Sequence, residues 1–317
     1  MKIIGTETVE KALGYPLLVD ALQEAFSKPF NQPPRQVFLL DDQPDNYDAF
    51  ALLPSWNEEI IAVKAFTYFP SNALPDPILH SKILIFSRKN GEPLALVDGT
   101  TVTFWRTAGV SGLATRLLSR EDSSTMLMVG AGNLASYIIS ANASVRPLKK
   151  VLIWGNPNGS PRVEKANEVA EKMSKELPEI EFSVIEDLEA ACAQSDIIVA
   201  ATGSPDILIR GEWIKEGTHL DFIGNHHADK RECDTETITR SRVYVDSYVN
   251  AFKEAGEVLV PIEEGVFKKE DIVAELSEMC SGKSELRRDD KEITIFKSIG
   301  QAVTDLVAAS VVYESAE

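Results

Sequence analysis

Met126-Leu127-Met128-Val129-Gly130-Ala131-Gly132-Asn133-Leu134-Ala135 is the stretch on which the fold turns. It opens with an apolar run of strand length, and a helix is expected over 134–143. Between them lies G-x-G-x-x-A. Gly130 allows a tight turn out of the strand, Gly132 lets the backbone approach a pyrophosphate, and Ala135 lets helix and strand pack closely. The N–H groups at the helix start then face the anion. A glycine turn of this form also occurs for purely structural reasons. Its weight comes from the strand before it, the helix after it and the strands beyond.

Those strands are short and apolar throughout: 126–129, 151–154, 182–185, 197–201, 220–223 and 243–245, with helical stretches such as 162–177 between them. Alternation of this kind predicts an α/β fold with a Rossmann-type parallel sheet covered on both faces. Ligands of such sheets lie outside the carboxyl ends of the strands. Thr202, after the fourth strand, and Phe222-Ile223-Gly224-Asn225, at the end of the fifth, are therefore candidate cofactor contacts by position. The second strand ends at Gly155-Asn156, with Arg162 following and no carboxylate between. A carboxylate there accepts a hydrogen bond from the ribose 2′-hydroxyl of NADH. Asn156 tolerates a 2′-phosphate and Arg162 can reach one, which leans toward NADPH over NADH.

Upstream, residues 1–118 read differently. A helix over 16–26 is followed by a proline-rich irregular stretch and strand-like runs at 36–40, 50–54, 60–68, 81–87 and 94–98. Asn90-Gly91 between two of them is a hairpin signal. A second helix is expected over 107–118, and an amphipathic helix over 300–313 closes the chain. The first part is thus an α+β unit with a mostly antiparallel sheet.

Lys plus Arg number 32 and Asp plus Glu 49, a net charge of −17 over 317 residues. Such acidity repels phosphate backbones and argues against a nucleic-acid partner. No run reaches the roughly 18 apolar residues of a membrane span, and Met1–Glu10 holds charges rather than a signal core. A cytoplasmic protein with no membrane partner is expected. Cys192, Cys233 and Cys280 are far apart without a C-x-x-C pair, so they read as apolar fillers, with no metal site.

Against that acidity three cations stand out. Arg35 follows two prolines, and Lys64 lies inside Ala62-Val63-Lys64-Ala65-Phe66. Arg106 is read as opening the helix over 107–118, where a cation opposes the helix dipole and so has another task. Together they suit a substrate carboxylate: arginine offers a bidentate fork, and lysine a compact charge whose pKa burial lowers. The plain alternative for Lys64 is an outward-facing residue on a half-buried strand. Spacing alone does not bring the three together.

Arg35, Val63-Lys64-Ala65-Phe66-Thr67-Tyr68-Phe69-Pro70-Ser71-Asn72, Arg106-Thr107-Ala108-Gly109-Val110-Ser111-Gly112-Leu113-Ala114, Val129-Gly130-Ala131-Gly132, and Lys297-Ser298-Ile299-Gly300 with Asp305 resemble the ornithine cyclodeaminase/mu-crystallin family over nearly the whole chain. That family holds ornithine cyclodeaminases, alanine dehydrogenases, ketimine and pyrroline-2-carboxylate reductases, and the mu-crystallins. The resemblance implies a substrate-binding and dimerisation domain, 1–118 completed by 296–317, around a Rossmann domain at 119–295, and a homodimer. It implies that Arg35, Lys64 and Arg106 hold the carboxylate and imine of a small imino or amino acid, with Ile299 touching it. It also implies that Ser81, Arg106, Thr107, Asn133, Leu134, Asn156, Thr202, Phe222, Ile223, Gly224, Asn225, Lys230 and Ser298 line the cofactor.

One departure bears on the reaction. After the fifth Rossmann strand the cyclodeaminases carry a catalytic Asp, and this chain reads Gly224-Asn225-His226-His227-Ala228-Asp229-Lys230, with the lysine kept and His226 at the Asp position. His226 is a possible base, or with His227 an exposed loop residue. As an imidazolium it would repel the cationic amine of ornithine. Reduction of a cyclic 2-imino acid needs only a held carboxylate, a hydride donor and a proton source. It therefore ranks first, with Δ1-pyrroline-2-carboxylate ahead of Δ1-piperideine-2-carboxylate. Ornithine cyclodeamination ranks second. NADPH-dependent ligand binding without turnover, in the manner of the mu-crystallins, is third.

Overall fold

The computed structural model describes residues 1–41, 48–72, 76–156, 162–204 and 206–316. Met1–Gly109 with Gln301–Glu317 forms one unit and Val110–Gly300 the other.

The first unit holds β1 (Lys2–Ile4), α1 (Thr6–Ala12), α2 (Leu17–Ser27), β2 (Gln36–Leu39), β3 (Ala49–Trp56), β4 (Ile60–Tyr68), β5 (Leu79–Ser87), β6 (Pro93–Asp98) and the start of α3 (Gly99–Leu118). The sheet order is β1-β6-β5-β4-β3-β2. All pairings are antiparallel except β1 with β6. Gly91 takes φ 76° in the turn between β5 and β6, as the hairpin signal requires. Along β3 alternate residues Ala49, Ala51, Leu53 and Ser55 are buried, the period-two pattern of a sheet with one covered face. The cover is the C-terminal helix, Ala302–Ser315, which packs on β3, β4, β5 and α2.

Helix α3 begins at Gly99, not at 107. Thr100-Thr101-Val102-Thr103 is β-branched and reads as poor helix former. The start is fixed by Asp98, whose carboxylate accepts a hydrogen bond from Thr101 N at 2.9 Å. Arg106 therefore lies about two turns inside the helix, and the dipole argument for it falls. The division between units comes within α3 and after Gly300, instead of at 118/119 and 295/296. Gly109 still packs on α2, where a Cβ would come within 2.9 Å of Leu22.

The second unit carries β7 (Thr125–Val129), α4 (Ala135–Ala143), β8 (Lys150–Trp154), α5 (Arg162–Glu176), β9 (Glu181–Ile185), β10 (Ile197–Ala200), β11 (His219–Phe222), β12 (Arg242–Val245), β13 (Ile272–Glu275) and β14 (Thr294–Lys297). All eight strands are parallel, in the order β13-β12-β14-β11-β10-β7-β8-β9. The chain runs outward from β7 to β9, then returns across β7 to β10. The strand order reverses there, which is where such sheets bind ligands. β13 and β14 escape the sequence reading. β14 ends in Lys297, which looks like a solvent residue but is fully buried against Glu257, 2.9 Å away.

Asp196 ties the entry of β10 to that of β7. Its carboxylate accepts from Ser124 N and Thr125 N at 3.0 Å each, Arg120 Nη2 at 3.0 Å and Lys215 Nζ at 2.9 Å. Burial raises its pKa, but these donors outweigh burial and hold it at about 2. The folded value lies below the unfolded value of about 3.9, so the stabilisation is present at neutral pH and is lost as pH falls from about 4 toward 2. Asp196→Asn is expected to cost about 1–2 kcal/mol at pH 7. Thermal melts should show the difference from the parent shrinking as the pH approaches 2; equal melting temperatures at pH 7 would count against this account.

Among the described residues no helix is long and apolar enough to cross a membrane. Cys192 and Cys233 are buried and Cys280 is half-buried. Burial pushes the thiols of Cys192 and Cys280 up to about 12.

Candidate active site

The glycine loop opens a cleft at the reversal point. Gly130, Gly132, Asn156, Lys165, Thr202 and Ser204 are among its lining residues. Gly130 has φ 109°, and a Cβ there would sit 2.8 Å from Ala201 O, so this turn requires glycine. Gly132 differs, because a Cβ there would meet nothing within 4 Å. The space beside it is left open by the protein. Helix α4 begins just beyond, with Leu134 as N-cap and no capping side chain. An uncapped helix start, an open glycine and a switch-point cleft fit the pyrophosphate of a dinucleotide. Asn133 is exposed in the same loop. The segment 157–161 and the side chain of Arg162, read as a 2′-phosphate partner, lie outside the described residues.

The far wall of the cleft is fastened from behind. Glu232, fully buried, accepts hydrogen bonds from Thr202 N and Thr202 Oγ1 through Oε1, and from Gly224 N through Oε2, all at 2.8 Å. Glu257 accepts from Glu232 N at 3.1 Å and pairs with Lys297, whose Nζ donates to Asn225 O at 2.8 Å. Three sequence-picked residues, Thr202, Gly224 and Asn225, are thus held by one buried ionic network. Asp246 accepts from Ile299 N at 2.9 Å and Gly300 N at 2.6 Å, fixing the turn that carries Ser298 and Ile299. Burial pushes Asp246 up to about 6. Phe222 and Ile223, expected as cofactor contacts, have side chains in the apolar core of this unit. His226 and His227 are exposed on the loop after β11, and Lys230 is half-buried there.

In the first unit β4 turns Lys64 onto the covered face, with 3% of its side chain exposed. It is no outward-facing residue. Its Nζ donates to Thr103 Oγ1 at 2.5 Å and to Asp305 Oδ1 at 3.1 Å. Arg106 Nε lies 3.3 Å from the same Asp305 oxygen. Burial lowers the pKa of Lys64 most strongly, Asp305 raises it and Arg106 lowers it again, leaving it at about 8. Such an amine is protonated at neutral pH yet gives up its proton readily. Gln36 pairs with Leu52, and Leu53 with Lys64. Arg35, half-buried, directly precedes β2. Ser81 is buried under the start of α3, its hydroxyl without a partner among the described residues. Thr107 is half-buried, one residue beyond Arg106.

Sequence reasoning named Asp305 only within a motif and missed Thr103, Lys165, Glu232, Asp246 and Glu257. A signal existed for two of them. Asp246 follows Val243-Tyr244-Val245, and Asp305 interrupts Val303-Thr304-Asp305-Leu306-Val307. An acid in an apolar run is costly unless something pairs with it.

The family model described as the ornithine cyclodeaminase/mu-crystallin family matches residues 2–317. The chain belongs to the ornithine cyclodeaminase/mu-crystallin family. Among members of that family, a Delta(1)-pyrroline-2-carboxylate reductase of Colwellia psychrerythraea is 49% identical to it, over 99% of each chain. The structure of a Thermococcus litoralis Delta(1)-pyrroline-2-carboxylate reductase, in complex with NADH and L-proline, matches with TM-score 0.91 and 33% identity, over 100% of this chain and 97% of that one. An archaeal alanine dehydrogenase dimer with bound NAD matches with TM-score 0.89 and 28% identity, over 100% and 96%. The family resemblance carried by the K-x-x-T-Y and R-T-A stretches therefore holds over the full chain.

Proposed function

We propose that this chain reduces Δ1-pyrroline-2-carboxylate to L-proline with NADH or NADPH. The observation that carries the reading is Lys64, a buried amine with pKa about 8 beside Arg106, in a chain 49% identical to a named reductase of this imino acid. Arg106 and Lys64 supply positive charge to the substrate carboxylate, and Arg35, just before β2, adds a third cation. Lys64 Nζ gives its proton to the ring nitrogen, which makes the ring carbon electrophilic. NADH or NADPH, held by the Gly130–Gly132 loop, would supply the hydride for this reduction. The C=N bond becomes a C–N single bond, and Lys64 regains its proton from water. Holding the carboxylate fixes the ring carbon, and such orientation supplies several kcal/mol of the barrier.

Asn156 and Lys165 line the nucleotide cleft, and no carboxylate is among its described lining residues. This supports use of NADPH alongside NADH. A homodimer is supported by β2, a sheet edge with Val37 54%, Phe38 48% and Leu39 65% exposed; apolar edges of this kind pair with another chain.

The test is turnover of Δ1-pyrroline-2-carboxylate, Δ1-piperideine-2-carboxylate and ornithine, each with both cofactors. Cofactor oxidation with the cyclic imines, proline as product and no ammonia from ornithine are expected. Ammonia from ornithine with no imine reduction would reverse the ranking.

A further inference from the structure

Asp305 has 2% of its side chain exposed, in the first turn of the otherwise apolar C-terminal helix. A buried carboxylate is costly unless it is paired. Here one oxygen, Oδ1, serves two cations, Lys64 Nζ at 3.1 Å and Arg106 Nε at 3.3 Å. β3 places Leu53 beside Lys64 and β5 places Ile83. α3 contributes Thr103 and Arg106, the C-terminal helix contributes Asp305, and the Phe66 ring lies 6.0 Å away. Among the described residues the charged groups acting on the amine are Asp305 and Arg106. Thr103 Oγ1 in turn donates to Gly99 O at 2.7 Å, so it is committed as an acceptor toward Lys64. Arg106 Nε faces Asp305 Oδ1 at 3.3 Å as an ion pair without a hydrogen bond, and its Nη groups donate to no described residue. A fork turned this way has both Nη groups left for a carboxylate.

Resting on the reduction argued above, we propose that Asp305 is a positioning residue: it holds Lys64 and Arg106 on one carboxylate oxygen and keeps the proton on the amine until the substrate nitrogen takes it. Asp305 itself does not touch the substrate. Its charge offsets the burial and the Arg106 charge that would otherwise strip the proton from Lys64.

The pH profile of kcat at saturating substrate and cofactor tests this. In the parent protein the rate is expected to fall above about pH 8, where Lys64 loses its proton. Asp305→Asn keeps the size and removes the charge. The falling limb is expected to move down by about 1–3 pH units, leaving the rate at pH 8 at least about fivefold below the parent, with the gap narrowing as the pH is lowered. Asp305→Glu retains the charge and keeps the limb near its parent position, whatever happens to kcat. A purely structural role would lower the rate evenly and leave the limb in place, so an unmoved limb in folded Asp305→Asn overturns the proposal. A limb moved equally by Asp305→Glu does the same. Should Asp305→Asn not fold, Asp305→Ser stands in under the same criteria. Absence of imine reduction by the parent counts against the reaction itself; turnover with an unmoved limb counts only against Asp305.

Discussion

Lys64→Ala is expected to lower kcat/KM for Δ1-pyrroline-2-carboxylate by about 10²- to 10⁴-fold, the usual worth of a positioned acid. The dissociation constant for NAD(P)H should stay within about twofold of the parent, because the glycine loop and Lys64 share no partners. The variant should fold. Asp305 keeps Arg106 as its counter-ion at 3.3 Å, so no buried charge is stranded. Lys64→Arg is not expected to restore the rate. A guanidinium carries the charge but does not give up its proton near neutral pH. Steady-state kinetics with a fluorescence titration of the cofactor separates the two effects, and an unchanged kcat/KM in Lys64→Ala would remove the proton donor from the scheme.

Gly132→Val is expected to weaken NAD(P)H binding by about 10- to 100-fold or more, since the side chain takes space the pyrophosphate needs. Stability should barely change. A Cβ at 132 meets no protein atom within 4 Å, and the residue does not have the left-handed φ that would strain it. Gly130, two residues earlier, is the internal contrast. With φ 109° and Ala201 O 2.8 Å from an added Cβ, its replacement disturbs the turn itself. Calorimetric titration and thermal melts on Gly132→Val distinguish a ligand space from a structural one. Parent-like affinity in a folded variant would place the pyrophosphate elsewhere.

Much of the fold was legible because the physics left a one-dimensional trace. Strands such as Ile197–Ala200, covered on both faces, are apolar at every position, and the glycine loop has its neighbours in sequence order. The failures have the opposite character. Lys297 looks like the end of a strand, yet it is buried because Glu257, 40 positions earlier, neutralises it (297 − 257 = 40). The first half of α3 is β-branched, and a single hydrogen bond from Thr101 to Asp98 starts it. The site divides along the same line. Lys64 and Arg106 stood out as cations in an acidic chain. Asp305, Glu232 and Asp246 matter for what they meet in space, and no local pattern records those meetings. Arg106 was chosen partly on a helix start that does not exist; the ion pair with Asp305 gives the better reason.

The fastening of the cleft wall bears on how this molecule can change over generations. Glu232 serves Thr202 twice and Gly224 once with one carboxylate. Replacing the acid strands the donors of two loops, and replacing Thr202 removes the hydroxyl that one carboxylate oxygen was serving. A side chain at 224 would run into both Thr202 and Glu232. Single substitutions in this trio are therefore poor stepping stones. Neutral drift reaches it only through compensated combinations, whereas an exposed residue of the neighbouring loop such as Ala228 can vary alone.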